Sequence, residues 1–398
     1  MKIFIIAGED SGDKLGSAVI DGLRETLDAS PEFVGIGGAE MNSRGLASIF
    51  PISELSVMGF VEIVSHYKNL KKRLNQTVSA ILDEKPDILL TIDAPEFCFR
   101  VAKKVKSFNQ NIPIAHYVAP SVWAWRPKRA LKISNYIDHV LALFPFEAPY
   151  FKNVGLSCDF VGHPIVLEDV ASKENIEELK KQYFLGDDPI ILCLPGSRKS
   201  EINRLMPPFG QSLQMFSNVV PNSRFILCST PNVFEHSKNY LKSMPKNTVF
   251  LSPEEIGLEK YLAFKKASFK ISSLALAASG TVSLELAANR TPMVIGYDMN
   301  YFSRQLIQMM MRIDTVNLVN LITGNRNIPE CIGANFNSEN LFLEVVRVYS
   351  NNQNQIKDFT TAMVLLGEND QPPNVRAANS IIRFYKDFKT VQYYQTLQ

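Results

Sequence analysis

The residue best placed for chemistry in the first half of the chain ends a buried apolar run. Ile88–Ile92 reads as a strand, and Asp93 follows it directly. At the carboxyl end of a strand, such a carboxylate can accept a proton from an attacking hydroxyl group. It can equally cap the helix predicted after Pro95. Asp93 is therefore a candidate general base, with a helix cap as the alternative.

Two motifs in the second half suit a phosphorylated ligand. The run 195–198 ends another apolar strand, and its arginine can bind a phosphate bidentately. The run 279–281 opens a predicted helix, whose first N–H groups favour anions, and Glu285 one turn later suits a ribose diol. A solvated turn and an ordinary N-cap are the alternatives. The candidates for a diphosphate site are Gly196, Ser197, Arg198, Ser279, Gly280, Thr281 and Glu285.

Two loops of the first half are further candidates. Gly8-Glu9-Asp10-Ser11-Gly12-Asp13 joins the first strand to the first helix, where a tight turn and a cap are the alternatives. The loop 116–126 holds both tryptophans of the chain next to basic residues, so its aromatic side chains could pack on a ligand. A packed loop beside a solvated basic helix is the alternative for this segment.

The elements that must position these residues alternate between short apolar runs and helical patterns. Strands are predicted at 3–7, 32–36, 88–92, 114–118, 139–143 and 159–161, then at 189–194, 224–228, 248–251, 269–272 and 292–297. Such alternation predicts an α/β protein with two doubly wound parallel sheets, whose ligands bind across a cleft. We expect Rossmann-like domains at 1–165 and 188–366, a connection at 162–188, and a C-terminal helix at about 374–398 that packs back on the first domain.

Composition narrows the class of protein. The chain has 398 residues, 46% of them hydrophobic, and a net charge of +2, so it is globular and nothing global points to nucleic acid. Five cysteines without paired spacing predict buried thiols in a reducing compartment. No apolar run reaches the ~18 residues of a spanning helix, so we expect a cytoplasmic protein. Nucleotide fingerprints, a P-loop and metal-ligand spacings are absent from the sequence.

A basic amphipathic segment covers residues 58–74. Its apolar residues recur at helical spacing and basic residues flank them, a pattern that can lie on an anionic membrane or contact a lipid. A helix that packs on the core with a solvated basic side is the alternative. The candidate membrane residues are Met58, Phe60, Val61, Ile63, Val64, Tyr67, Lys68, Lys71, Lys72 and Arg73.

These motifs, in this order, resemble those of lipid A disaccharide synthases, glycosyltransferases with the GT-B fold. The resemblance covers nearly the whole chain. It departs mildly at Asp10, at Glu96 and at Val319-Asn320. The motifs that carry it are 8–13, 57–62, 92–95, 116–125, 160–164, 195–198 and 278–281.

The resemblance implies an inverting transfer from UDP-2,3-diacylglucosamine to 2,3-diacylglucosamine 1-phosphate. The products are a β-1,6-linked disaccharide and UDP, no metal or other cofactor is expected, and the family suggests a homodimer at the inner face of the cytoplasmic membrane. Asp93 is then the base, and Asn320 joins the donor-site candidates. The residues expected on the acceptor side of the cleft are Glu9, Ser11, Gly12, Asp13, Tyr117, Ser121 and Trp123.

Two other functions fit part of the pattern. A GT-B epimerase acting on UDP-N-acetylglucosamine would need further acid and base groups and no basic amphipathic helix. A noncatalytic protein that binds a sugar nucleotide or a lipid would leave Asp93 without a role. UDP release that depends on the acceptor separates the three functions.

Overall fold

The computed structural model describes residues 1–55, 60–123, 128–298 and 314–396, and the side chains of these ranges except 60–67 and 395–396. The chain forms two compact units. The first comprises Met1–Pro164 and Leu366–Gln398, and the second comprises Ile165–Leu365. No helix among the described residues is both long enough and apolar enough to cross a membrane.

A parallel sheet of seven strands forms the first unit. The strands are β1 (Lys2–Ala7), β2 (Glu32–Ile36), β3 (Ala47–Ser48), β4 (Ile88–Ile92), β5 (Ile114–Tyr117), β6 (His139–Ala142) and β7 (Ser157–Phe160). Their order is β3-β2-β1-β4-β5-β6-β7. The central strands are continuous apolar runs because both faces of the sheet are covered. Ile3 pairs with Ile88 and Ala7 with Ile92, so β1 and β4 end side by side.

Helices cover the two faces of this sheet. They are α1 (Asp10–Thr26), α2 (Ala39–Ser43), α3 (Phe60–Glu84), α4 (Pro95–Phe108), α5 (Lys128–Ile133) and α6 (Ala148–Lys152). One core cluster joins the sheet to α4, and the other joins it to α1. Alternate residues of β1 belong to different clusters, Phe4 and Ile6 to the first and Ile3 and Ile5 to the second, as the period of a strand requires.

The second unit has its own parallel sheet. The strands are β8 (Ile190–Leu194), β9 (Arg224–Leu227), β10 (Thr248–Phe250), β11 (Leu274–Ala278), β12 (Met293–Tyr297) and β13 (Glu330–Ile332), in the order β10-β9-β8-β11-β12-β13. The helices are α7 (Lys173–Gln182), α8 (Lys199–Val219), α9 (Phe234–Lys238), α10 (Pro253–Ile256), α11 (Leu258–Ile271), α12 (Val282–Ala288), α13 (Leu318–Thr323), α14 (Ser338–Ser350) and α15 (Gln353–Leu365). The two doubly wound parallel sheets confirm the predicted fold class.

The last helix, α16 (Pro373–Thr396), belongs to the first unit. It packs along α1, and Gly22 permits the contact, since a Cβ atom there would lie 2.5 Å from the carbonyl oxygen of Asn374. Ile381 is fully buried in the core cluster on that face of the sheet. His139 Nε2 and Ser380 Oγ are 2.8 Å apart, which fastens the helix to the start of β6.

One local prediction is wrong. The run 269–272 was expected to be a strand, but α11 continues to Ile271 because Tyr261, Phe264 and Ala267 form one buried helical stripe. The strand is the small-residue run Leu274–Ala278 instead. The expected connection at 162–188 contains α7, which packs against α11 and buries Leu179.

Candidate active site

In the first unit, the backbone at the ends of β4 and β5 is strained. Asp93 and Ala94 have φ of 49° and 42°, and Val118 has φ of 74°. None is glycine, so each occupies the left-handed region at a cost of about 1–3 kcal/mol. The Asp93 N–H donates to the carbonyl oxygen of Tyr117 at 3.0 Å and holds the bend in place. Strain of this kind concentrates at functional sites, and here it fixes the direction of the Asp93 side chain.

Gly8 allows the loop that carries Glu9 to approach the loop that carries Asp93. A Cβ atom on Gly8 would lie 2.3 Å from the Ala94 Cβ atom, so only glycine lets the two loops touch. We call Glu9 and Asp93 together the carboxylate site. Burial raises the pKa of Asp93 above its ordinary value, partly opposed by a hydrogen bond from the Ala94 backbone.

The pKa of Glu9 is also raised, by burial first and then by the negative charges of Asp93 and Asp10. Because repulsion between two carboxylates is mutual, the charge of Glu9 likewise favours a proton on Asp93. A carboxylate with a raised pKa is a stronger proton acceptor than an ordinary one. The carboxylate site can therefore take up a proton from a hydroxyl group placed beside it.

Asp13 has a structural role instead of the predicted acceptor role. Its side chain is 4% exposed, and its oxygens accept the backbone N–H groups of Gly38 at 2.7 Å, Glu40 at 2.9 Å and Met41 at 3.1 Å. The carboxylate thus caps α2 and is not free for a ligand. Gly12 has a packing role, since a Cβ atom there would lie 3.3 Å from Ala7 Cβ.

Tyr117 and Trp123 also differ from the prediction of acceptor contacts. The Tyr117 side chain is 2% exposed and lies in the core cluster beneath α1. The Trp123 indole is 9% exposed, packs edge-on against Phe146 and donates to Glu147 Oε1 at 3.1 Å. The Tyr117 ring belongs to the core side of β5, and the Trp123 ring belongs to a packed loop, the alternative interpretation of that segment.

Ser11 and Ser121 are exposed, and their predicted contact with a ligand stays a prediction.

In the second unit, a pocket of about 340 Å³ lies at the carboxyl ends of β8, β9 and β11. Both predicted phosphate motifs line it, so residues more than eighty positions apart meet there. We call it the anion pocket. Its predicted lining residues are Gly196, Ser197, Arg198, Ser279, Gly280, Thr281 and Glu285. The structure brings all seven together, whereas their contact with a donor stays a prediction.

The turn that begins α8 is held by Glu201, which sequence reasoning missed. Its carboxylate accepts the backbone N–H groups of Ser197 at 3.0 Å and Arg198 at 3.3 Å, and Oε1 accepts from Arg198 Nη1 at 2.8 Å. Gly196 has φ of 108°, and a Cβ atom there would lie 2.5 Å from Glu201 Oε2. The glycine is therefore required by the turn. The signal in the sequence was a glutamate three residues after the helix N-cap, the spacing of a capping box.

The opposite wall of the anion pocket pairs a second cation with a carboxylate. Lys265 Nζ lies 3.2 Å from Glu285 Oε2, with the two side chains 25% and 29% exposed. Ser229 and Thr230 add hydroxyl groups that are buried and have no hydrogen-bond partner among the described residues. These groups were not predicted, because Ser229 and Thr230 follow a strand that carries no motif and Lys265 lies within α11.

Asn320 lies outside the anion pocket, contrary to its predicted place near the donor. It is fully buried, donates to the carbonyl oxygen of Ile328 at 2.9 Å and accepts the Ile328 N–H at 3.2 Å. Its amide holds the loop before β13, so its side chain is used by the fold.

The basic amphipathic segment is described in part. Met58, Phe60, Val61, Ile63, Val64 and Tyr67 lie outside the described side chains. Lys68, Lys71 and Lys72 are exposed on α3. Arg73 is bound to Glu54 through two guanidinium nitrogens, one of them at 2.7 Å, and lies over the Phe50 ring. Its charge therefore stabilises the fold of the first unit and is not free for a membrane.

The two doubly wound parallel sheets place the protein in the class of GT-B folds. The family described as lipid-A-disaccharide synthetase matches residues 3–379. The chain belongs to this family and is accordingly a glycosyltransferase whose substrates are sugar nucleotides and lipid-linked sugars.

Similar proteins agree over nearly the full length. The lipid-A-disaccharide synthase of Ruegeria pomeroyi is 44% identical over 382 residues, which are 96% of this chain and 95% of that protein. The synthase of Rhodospirillum centenum is 40% identical, over 96% and 94%. The synthase of Rickettsia typhi is 37% identical, over 96% and 98%.

Solved structures show the fold. UDP-GlcNAc 2-epimerase from Neisseria meningitidis, bound to UDP-GlcNAc, has a TM-score of 0.61 at 15% identity and covers 96% of this chain and 98% of that chain. The Rickettsia bellii UDP-N-acetylglucosamine 2-epimerase has a TM-score of 0.60 at 14% identity, with 99% of each chain covered. These similarities reflect a shared architecture, so the epimerase alternative rests on fold alone. The prediction of a lipid A disaccharide synthase is confirmed by the family match.

Proposed function

We propose that the protein transfers 2,3-diacylglucosamine from its UDP conjugate to 2,3-diacylglucosamine 1-phosphate. The acceptor 6-hydroxyl oxygen forms a bond to C1 of the donor sugar as the bond from C1 to the UDP phosphate breaks. The electron pair leaves with UDP, and the hydroxyl proton passes to the enzyme. In-line attack inverts C1 and gives a β-1,6 disaccharide 1-phosphate. The observation that carries this proposal is the family match over residues 3–379.

Asp93 is the proposed base. Burial raises its pKa, and the two left-handed residues at the end of β4 hold it in one direction. Glu9 supports the same function, because the repulsion from Asp93 that raises the pKa of Glu9 is mutual and therefore also favours a proton on Asp93. Of the carboxylates expected to act on the acceptor, Asp13 is already occupied by three backbone amides. These contacts favour Asp93 over Asp13 as the proton acceptor.

The anion pocket is the proposed donor site. Arg198 is 69% exposed at its side chain and can turn from Glu201 to a diphosphate that enters the pocket. Lys265 adds a second positive charge, and Glu285 can accept hydrogen bonds from the ribose diol. Charge that develops on the leaving UDP is then stabilised by fixed protein donors. We therefore propose a reaction that requires no metal ion.

Attachment to the inner face of the cytoplasmic membrane is the finer part of the proposal. Each buried CH₂ group retains a lipid in a bilayer by about 0.8 kcal/mol, so diacylated substrates must be met at the membrane surface. Lys68, Lys71 and Lys72 are exposed on one helix and can contact anionic lipid. A homodimer remains a prediction from the family resemblance.

A two-substrate assay tests the reaction. UDP release is measured from UDP-2,3-diacylglucosamine with and without the acceptor, and the lipid product is identified by mass and by the configuration at C1. We expect release only with the acceptor and a β-linked disaccharide. UDP release without acceptor, or an epimerised sugar, would refute the proposed transfer. Full loss of activity in a chelator, restored by Mg²⁺, would overturn the metal-free part alone.

A further inference from the structure

The first unit contains a larger cavity than the anion pocket, at the start of α4. Its volume is about 800 Å³, and we call it the α4 pocket. The middle of α3 forms one wall and the first three turns of α4 form the other. Among the described residues, the apolar part of the lining is Leu55, Leu70, Leu74, Ala94, Pro95 and Phe97. Leu55, Leu74 and Phe97 also pack against the core, so the pocket has an apolar floor that is continuous with the protein interior.

Three cations line the same pocket. They are Lys71 on α3 and Arg100 and Lys104 on α4. Lys104 Nζ donates to a neutral partner, Asn75 Oδ1, at 2.6 Å. Arg100 Nη2 lies 3.7 Å from Glu96 Oε2, with the two side chains 62% and 81% exposed, a weak contact that an incoming anion can replace. Glu96 also lies 3.6 Å from Arg129, which offsets its charge.

The pocket adjoins the carboxylate site. Glu9 lines it, and Ala94, the residue after Asp93, forms part of its wall. Arg100 lies five residues beyond Pro95, about 7.5 Å along the helix axis, and Lys104 lies about 13.5 Å along it. If a hexose ligand places one hydroxyl group at Asp93, a substituent on the opposite side of the sugar ring therefore reaches the level of Arg100.

We propose that the α4 pocket binds the acceptor as a phosphorylated, acylated sugar. Arg100 and Lys104 bind the phosphate, Lys71 adds charge at the rim, and one acyl chain lies on the floor beside Leu70 and Phe97. An apolar floor with cations at its edge matches an anionic amphiphile, because the floor can contact the apolar chain while the cations bind the anionic group. This inference rests on the proposed transfer reaction and deepens it by assigning the acceptor site.

The test measures binding without donor, so it does not depend on turnover. Two probes are used with the full-length protein: a short-chain 2,3-diacylglucosamine 1-phosphate and the same diacylated sugar without phosphate. The variants are Arg100→Gln and Lys104→Gln, with Lys103→Gln as the control. Lys103 is exposed on the same helix and does not line the pocket. We expect Arg100→Gln to weaken binding of the phosphorylated probe about tenfold or more, Lys104→Gln to weaken it too, and neither to affect the other probe.

Three outcomes would overturn the assignment. They are equal losses with both probes, no loss with either variant, and no binding of the phosphorylated probe to the wild type. If inorganic phosphate competes for the pocket as strongly as the phosphorylated lipid probe does, the pocket is a site for free anions and not for the acylated sugar. Leu70→Trp tests the floor, since it should weaken longer acyl chains more than shorter ones, and equal effects would exclude an acyl chain there.

Binding and transfer can fail separately. If the probe binds as expected but no disaccharide forms with donor present, the proposed reaction is wrong and the α4 pocket stands as a lipid site. If disaccharide forms at a normal KM for the acceptor in the Arg100→Gln and Lys104→Gln variants, the reaction stands and the pocket assignment is wrong.

Discussion

The carboxylate site and the anion pocket are built in opposite ways. At the carboxylate site, backbone strain and burial hold Asp93, and its charge is left without a cationic partner among the residues that shift its pKa. In the anion pocket, each of two cations forms an ion pair with a carboxylate of the same unit. Arg198 pairs with Glu201, and Lys265 pairs with Glu285. The first arrangement keeps a proton acceptor reactive, and the second keeps cations in position until an anion replaces their partners.

The largest effect is expected at the carboxylate site. Asp93→Asn removes the proton acceptor and should lower kcat by about 10²–10⁴-fold. Because the pKa of Asp93 is raised in the folded protein, its ionised form destabilises the fold increasingly as pH rises from the unfolded pKa through the folded pKa. The variant should therefore have an equal or higher Tm at neutral pH. Turnover and thermal unfolding measure the two expectations.

The control for this comparison is Asp13→Asn. Its carboxylate accepts three backbone N–H groups, so the amide should lower the free energy of unfolding by about 1–3 kcal/mol. Activity per folded molecule should change little. Near-normal turnover in Asp93→Asn, or a rate loss in Asp13→Asn as large as that of a missing base, would reverse the roles given to the two carboxylates.

The membrane contact should belong to the first unit alone. Each of Lys68, Lys71 and Lys72 can contribute about 1 kcal/mol near anionic lipid. Changing all three to Glu should therefore weaken binding to anionic vesicles, measured by sedimentation, about a hundredfold or more. Tm should stay nearly unchanged, because the three side chains are exposed. The matched control changes the exposed Lys238, Lys242 and Lys246 of the second unit to Glu. Equal losses in both triple variants, or no binding by the wild type at low salt, would contradict a specific membrane face on α3.

A smaller effect is expected in the anion pocket. Arg198→Ala removes a charge-assisted hydrogen bond of about 1.5–3 kcal/mol and should weaken UDP binding about tenfold or more. Calorimetry with UDP measures the loss. Lys199→Ala is the control, since Lys199 is the exposed neighbour that does not line the pocket. If Arg198→Ala changes neither UDP affinity nor turnover, Arg198 has no role in binding the donor.

The smallest effect is a shift in pH dependence. Glu9→Gln removes one of two carboxylates that repel each other, a repulsion that raises the pKa of Glu9 and, being mutual, is expected to favour protonated Asp93. The acid limb of the kcat/KM profile, where Asp93 must lose its proton before it can act as a base, should move to lower pH. The direction is the test: a limb that stays in place or moves to higher pH would mean that Glu9 does not act on Asp93.

The sequence predicts the sheets and the loop ends better than it predicts individual side chains. Continuous apolar runs mark buried parallel strands, so β1, β4 and β8 were found within one residue of their bounds. A motif after a strand locates a loop, but it does not say which side chain turns inward. Asp13 was misjudged because the amides it caps lie about 25 residues later in the chain. Asn320 was misjudged for a related reason, since its partner Ile328 carries no signal of its own.

The late position of α16 in the sequence has a consequence for folding during synthesis on the ribosome. The first unit takes its final helix from a segment that is synthesised about 200 residues after Pro164. At about 5–20 residues per second, translation takes on the order of 10–40 s to reach it. Throughout that interval, the groove beside α1 that will receive Ile381 and Phe384 stays open. A nascent chain of this design presents an apolar groove to chaperones until α16 has been synthesised.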